Sequence, residues 1–354
     1  VAQYFRTRAS RAIVTAVVLV IATVAIVKYQ SVKSKKPQVS AKPTLMAAVP
    51  GNPGAADVGK PAAKTVVPPQ PPADHPPAAP PIAPAPPAKN EAPPQNLPPS
   101  ADLFDAAAAQ VKAGDLVGAR KLLNDSLVSG TLSGADADTA MKQIAELNKT
   151  LVFSDRRFKT DPHGGTYMVK PGDRLGAIAD QYQVPVQILL QINNLKSGKD
   201  LKADMPIKVI QGPICAIVTK GKFKIDLYFN APGGPNSTYL TSFPVGLGTD
   251  NSTPTGTWII TVRVANPSYN SPEGRASQHF AGGDPKNPIG PFWLGLAGTD
   301  GQAVGKQSYG IHGTIDPDSI GKQASMGCIR LKNEDVEKVY DLMVAKKSVV
   351  VVRD

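Results

Sequence analysis

Tyr309-Gly310-Ile311-His312-Gly313-Thr314 and, after ten further residues, Ser325-Met326-Gly327-Cys328-Ile329-Arg330-Leu331 form the most informative stretch of the chain. A cysteine nucleophile needs a base or a cation to hold it as thiolate. His312, upstream of Cys328, is the one sensible local base. Gly327 permits a tight turn with backbone N–H groups exposed, which suits an oxyanion site, and Ser325 supports that turn. Arg330 adds a fixed positive charge two residues on, able to hold the thiolate or to meet a substrate carboxylate. The spacing points to cysteine acyl transfer. The alternative is a buried structural cysteine beside an unrelated histidine, since free cysteine is often core.

The residues around this stretch read as strands. Ala216–Val218 and Phe223–Phe229 look like neighbours joined by Lys220-Gly221, and Thr257–Val264 and Ser348–Val352 continue the pattern. Gly- and Pro-rich turns connect them, as β-sandwiches and barrels require. Asn333–Val344 is the exception, a helix with Val336, Val339, Tyr340 and Met343 on one face. His312-Gly313 with Ser325-x-Gly327-Cys328-Ile329-Arg330-Leu331 resembles the signature of the YkuD-type L,D-transpeptidase catalytic domain. The likeness extends to Val245–Gly248, Thr253–Trp258 and Asn287–Gly290. It implies a β-sandwich of mixed sheets, Cys328 as nucleophile, His312 as its base, and the Gly313 carbonyl orienting the imidazole. Met326 stands where the family often has a basic residue. Cys215 has no histidine nearby and reads as core. His279 reads as a solvated loop residue, and Trp258 and Trp293 as core.

Upstream, Tyr167–Val169 alternates like a strand, Pro171-Gly172-Asp173 is a turn whose Asp can cap a helix, and two short helical faces precede a strand at Pro206–Ile210. Val169-Lys170-Pro171-Gly172-Asp173-x-Leu175-x-x-Ile178-Ala179, then Ile192-Asn193-x-Leu195, resembles the LysM module. That resemblance implies a βααβ fold and binding of N-acetylglucosamine-containing glycans through Gly172, Asp173, Arg174, Asn193 and Asn194. Residues 101–160 read as a helical spacer, broken at Gly114-Asp115, with Ser133-x-x-Asp136 as a capping box for the third helix.

Composition divides the rest. The formal charge is +11, yet residues 1–36 contain seven Lys/Arg and no acid, so basicity is poor evidence for nucleic-acid binding and none is expected. Ala12–Val27 is uncharged and reads as a membrane-spanning helix over about residues 10–28, with a cleaved signal or a core helix as alternatives. Residues 37–100 hold 20 of the 35 prolines and read as an extended disordered linker. Two cysteines exclude a disulfide scaffold.

The expected protein is therefore multidomain: anchor (1–36), Pro/Ala-rich linker (37–100), helical spacer (101–160), LysM module (166–211) and mainly-β catalytic domain (212–354). The expected activity is peptidoglycan L,D-transpeptidation without metal or cofactor. The thiolate attacks a stem-peptide amide, releases the terminal D-residue, and passes the acyl group to an amine. The alternatives are an L,D-carboxypeptidase using water and a non-catalytic wall-binding protein. Expected partners are peptidoglycan stem peptides, glycan strands and the membrane. The expected location is the bacterial inner membrane, single-pass, with the carboxy-terminal domains in the periplasm.

Overall fold

The computed structural model describes residues 100–234, 236–271 and 278–354. Three helices open this part of the chain: α1 (Ser100–Lys112), α2 (Leu116–Val128) and α3 (Gly134–Leu151). Gly114, at φ +83°, ends α1, and the Asp115 carboxylate caps α2 by accepting the Gly118 N–H at 2.8 Å. Ser133 does sit at the N-cap of α3, but its side chain makes no capping bond, so the expected capping box is not formed.

A βααβ unit follows, with β1 (Gly164–Met168), α4 (Leu175–Gln181), α5 (Val186–Ile192) and β2 (Pro206–Ile210), the two strands pairing antiparallel. Leu175, Ile178 and Ala179 of α4 and Ile188, Leu189 and Ile192 of α5 are buried, as their spacing requires. Asp173 does not cap α4. It accepts the Lys170 N–H and the Tyr167 hydroxyl, closing its own turn, and Arg174 occupies the N-cap without a side-chain bond.

The remaining chain supplies β3 (Ile214–Thr219), β4 (Lys224–Phe229), β5 (Thr238–Pro244), β6 (Leu247–Gly248), β7 (Gly256–Ala265), β8 (Tyr269–Asn270), β9 (His279–Phe280), β10 (Phe292–Gly298), β11 (Tyr309–His312), β12 (Gln323–Ser325), β13 (Ile329–Arg330), α6 (Asn333–Leu342) and β14 (Val349–Arg353). Eight strands form one mixed sheet in the order β13-β11-β10-β7-β14-β3-β4-β5, and β6–β12 and β8–β9 are small separate ribbons. The expected sandwich of mixed sheets is thus one dominant open sheet. The reason lies in its burial. Ile214–Val218 is buried at every position, so both faces of the sheet are covered. Helix α6 packs against β10 and β11, and α3 against β5. A single apolar core runs from Leu151 through Ile188 and Ile192 to Trp258, Leu294 and Val339.

The helical hairpin also protects the sheet's edge. Strand β5 ends the sheet, and an open edge is a template for unwanted pairing. The Asn124 amide donates to the Ser237 carbonyl and accepts the Tyr239 N–H, as a neighbouring strand would. The fully buried Asn148 donates to the carbonyls of Tyr239 and Leu240. Its oxygen accepts from Arg120, which is ion-paired with buried Asp161. From the other side, Lys208 of β2 donates to the carbonyls of Leu151 and Ser154 at the end of α3.

The expected membrane-spanning helix and nearly all of the Pro/Ala-rich linker lie outside the described residues. Among the described residues, no helix is long and apolar enough to cross a membrane. The longest, α3, has 18 residues and carries Asp136, Asp138, Lys142, Glu146 and Lys149. Charges of that density oppose insertion in hydrocarbon. The expectations of a transmembrane helix in the fold, of the membrane as partner and of a single-pass inner-membrane location with periplasmic domains thus find no support among the described residues and are not carried forward.

Arg120→Met leaves Asp161 buried without its cation. We expect a loss of about 3–5 kcal/mol in denaturant unfolding, with partial recovery in the Arg120→Met/Asp161→Leu double variant.

Candidate active site

Strands β11 and β13 run parallel, with Ile311 opposite Ile329 and His312 opposite Arg330. This register brings together the two halves of the quoted stretch. Cys328 and His312 line one cavity of about 470 Å³, with Trp293, Tyr269, Pro288, Ile289, Ser325, Met326 and Arg330 among its other walls.

His312 is buried and stacks on Trp293, ring centroids 5.6 Å apart. Its Nδ1 lies 2.6 Å from the Gly313 carbonyl oxygen. A carbonyl only accepts, so Nδ1 carries the proton and Nε2 keeps the free lone pair of a base. Burial pushes the imidazole down to about 4. The Gly313 carbonyl opposes this and Arg330 adds to it. The Cys328 thiol is pushed up by burial, against the Gly310 N–H and the Arg330 charge. Both shifts favour the neutral thiol and neutral imidazole over a thiolate–imidazolium pair.

The turn that carries Cys328 is laced by hydroxyls. Ser325 Oγ donates to the Cys328 carbonyl at 2.7 Å and accepts the Gly327 N–H at 3.1 Å. That bond engages the Gly327 N–H, so the expected oxyanion donor at this position is instead part of the turn. Gly327 has φ +129°, and a Cβ there would meet the Tyr309 ring at 2.7 Å, so only glycine fits. Thr253 Oγ1 donates to the Gly327 carbonyl and accepts the Gly248 N–H. On the histidine side, Asn333 Oδ1 accepts the Thr314 N–H, and a Cβ on Gly313 would strike that same oxygen at 2.2 Å. Arg330 is fixed at its backbone by two bonds with Gly246. Its buried Nε has no partner among the described residues, and the side chain lines the cavity.

Three residues were given no role in the sequence: Thr253, Asn333 and Trp293. Thr253 lies in the quoted Thr253–Trp258 motif, which was the available signal. Trp293 was read as core and instead supports the imidazole. His279 is exposed and its Nδ1 lies 2.7 Å from Asn270 Oδ1, so it backs a cavity wall without reaching the cavity. Cys215 is buried, and both cysteines are free. In the βααβ unit, the Asn193 side chain donates to the Leu189 and Lys208 carbonyls and accepts the Lys208 N–H. Asn194 donates to Asp155. Among the expected glycan-binding residues, Gly172 and Arg174 remain at an exposed turn without such ties.

The model of the YkuD family, an L,D-transpeptidase catalytic domain, matches residues 233–352, and the LysM domain matches residues 167–209. The candidate L,D-transpeptidase YkuD of Bacillus subtilis (strain 168) is 31% identical over 184 residues, covering 50% of this chain and 93% of that protein. Its counterpart in Bacillus licheniformis is 33% identical over 185 residues, covering 50% and 92%. The candidate L,D-transpeptidase YcfS of Escherichia coli (strain K12) is 29% identical over 187 residues, covering 48% and 55%.

With its thiol raised above the ordinary value near 9, Cys328 of the free protein should alkylate slowly with iodoacetamide at pH 7. The rate should climb through pH 9 and beyond, read by peptide mass spectrometry. A plateau reached below pH 7 would mean a preformed thiolate.

Proposed function

This chain belongs to the YkuD-type L,D-transpeptidase family, and on that premise we propose how its own residues carry out the chemistry. The chain has an L,D-transpeptidase catalytic domain and a LysM domain, and the chemistry generic to the family is peptidoglycan cross-linking. The observation that carries the residue-level reading is the meeting of His312 and Cys328 in one cavity, with the imidazole lone pair at Nε2 free.

Cys328 is the nucleophile and His312 the general base. As sulfur attacks the carbonyl of a stem-peptide amide, the thiol proton passes to Nε2. The same proton then goes to the departing amine of the terminal D-residue, leaving a thioester on Cys328. An amine of a second stem attacks the thioester, gives its proton to His312, and the thiol is restored. From a neutral pair, the proton leaves sulfur for Nε2 as the carbon–sulfur bond forms. Arg330 opposes protonation of His312 and stabilises developing negative charge on sulfur. With the Gly327 N–H engaged by Ser325, the N–H of Cys328 itself is the donor we assign to the oxyanion. Gly313 fixes the imidazole, and Ser325 and Gly327 fix the turn.

We also propose the division of the chain into a helical spacer (101–160), a glycan-binding LysM module (166–211) and a catalytic domain (212–354). Glycan strands are the partner of the LysM module, through the exposed turn at Gly172 and Arg174.

Incubation with purified muropeptides tests the reading. Wild-type protein should release the terminal D-residue and show an acyl mass on Cys328, and Cys328→Ala should do neither. Full retention of either activity in that variant would sink the assignment. The sign of the pH dependence follows from His312, which must be neutral to accept the thiol proton. The kcat/KM should hold down to about pH 5 and fall as pH drops through about 4. An acid limb near 6.5 would contradict a buried base.

A further inference from the structure

A second cavity, of about 560 Å³, opens where α2, the loop before β1 and the tip between β4 and β5 meet, outside the active site. That size falls within the roughly 300–1,000 Å³ of ordinary small-ligand sites. The charges at its wall cancel in pairs, Arg120 with Asp161 and Lys121 with Asp125. What remains open is neutral and mixed, apolar at Val117 and Pro162 and polar at Thr160, Gln211 and Asn236. The Asn236 amide and the Thr160 hydroxyl have no partner among the described residues. Gln211 donates to the Gly212 carbonyl and keeps its own oxygen open. The His163 ring, stacked on Phe229 with centroids 4.3 Å apart and planes within 8°, forms part of the wall.

This chemistry selects its ligand class. An anion finds no unpaired cation, and a wholly apolar group would displace water from the Asn236 and Gln211 amides without replacing its hydrogen bonds. An uncharged ring bearing hydroxyl and acetamido groups can satisfy amide and hydroxyl walls on several sides. We propose that this cavity is a saccharide-binding subsite for an N-acetylated sugar unit, separate from the LysM turn and from the acyl-transfer cavity. It deepens the glycan reading above and rests on it only for the polymer that supplies the sugar. A subsite at this junction would hold a strand against both the helical hairpin and the catalytic sheet.

Calorimetric titration of the full chain with tetra-N-acetylchitotetraose tests it. Wild-type protein should show two classes of site. The Asn236→Ala/Gln211→Ala variant, both positions exposed, should weaken one class at least tenfold with an unchanged melting temperature. Arg174→Glu should weaken the other. If the LysM reading alone fails, one class remains and the double variant removes it. A single class lost in Arg174→Glu but untouched by the double variant would overturn the cavity proposal, as would no binding at all. An intact D-residue release from soluble muropeptides in the double variant is expected, since neither residue borders the active site.

Discussion

The parallel pairing of β11 with β13 is the constraint on which the site depends. Parallel strands cannot be joined by a tight turn and need a crossover of a dozen or more residues. Here the crossover contains Gly313, whose carbonyl sets the imidazole, and ends in the Ser325–Cys328 turn. One register therefore fixes His312, Cys328 and Arg330 together. A slip by one residue would turn His312 away from the cavity and carry Cys328 to a different depth. Most of the surrounding bonds resist such a slip. Thr253 ties the turn to Gly248, and Gly246 pairs with Arg330 through both of its backbone groups.

Burial then decides the electrostatics. Removing water disfavours both the thiolate and the imidazolium, so each partner is moved toward its neutral form. Arg330 acts on the two in opposite senses for the proton transfer, favouring the charged sulfur and resisting the charged histidine. A neutral site protects a cysteine from adventitious oxidation, because the thiolate is the reactive form. The same burial shapes acid stability. His163, like His312, is held at about 4 by desolvation, with Arg120 adding to the effect and Asp161 opposing it. Their folded values lie below the ordinary 6.5, so this stability is present above 6.5 and lost as pH falls toward 4 and below.

The sequence made most of this architecture legible where one residue's chemistry has few uses. Gly327 before Cys328, the His312-Gly313 pair and the apolar faces of α4, α5 and α6 could be read from type and spacing. What escaped reading was polar. Asn124, Asn148 and Arg120 on a helix look like a solvated face, and only tertiary contact reveals that they pair with strand β5 and Asp161. Lys208 in a strand looks like an exposed charge, yet it closes the end of α3. The LysM resemblance implies ligand contacts for Asp173 and Asn193. Both are engaged by neighbouring backbone instead. The spacer's tie to the catalytic sheet was missed for the same reason: nothing in a 3.6-residue period distinguishes an amide that faces water from one that faces a strand edge.

These polar ties bear on how the chain can act on a polymer. Strands β2 and β3 are separated by three residues, Gln211 to Pro213, and Ile188, Ile192 and Val339 belong to the same apolar core. A flexible tether between modules would let each engage its target independently, at an effective concentration set by tether length. A shared core instead fixes the module against the sheet, so that, on the function proposed above, a glycan on the module would present its stem peptides to the sheet at a set offset. Lys208 makes that geometry costly to relax. Its ammonium lies among helix-end carbonyls, and burial lowers it to about 8. Separating α3 from β2 would leave the last carbonyls of α3 without their donor. Rigidity at this seam is thus a consequence of satisfying buried polar groups, and it holds the βααβ unit at a fixed position on the catalytic sheet.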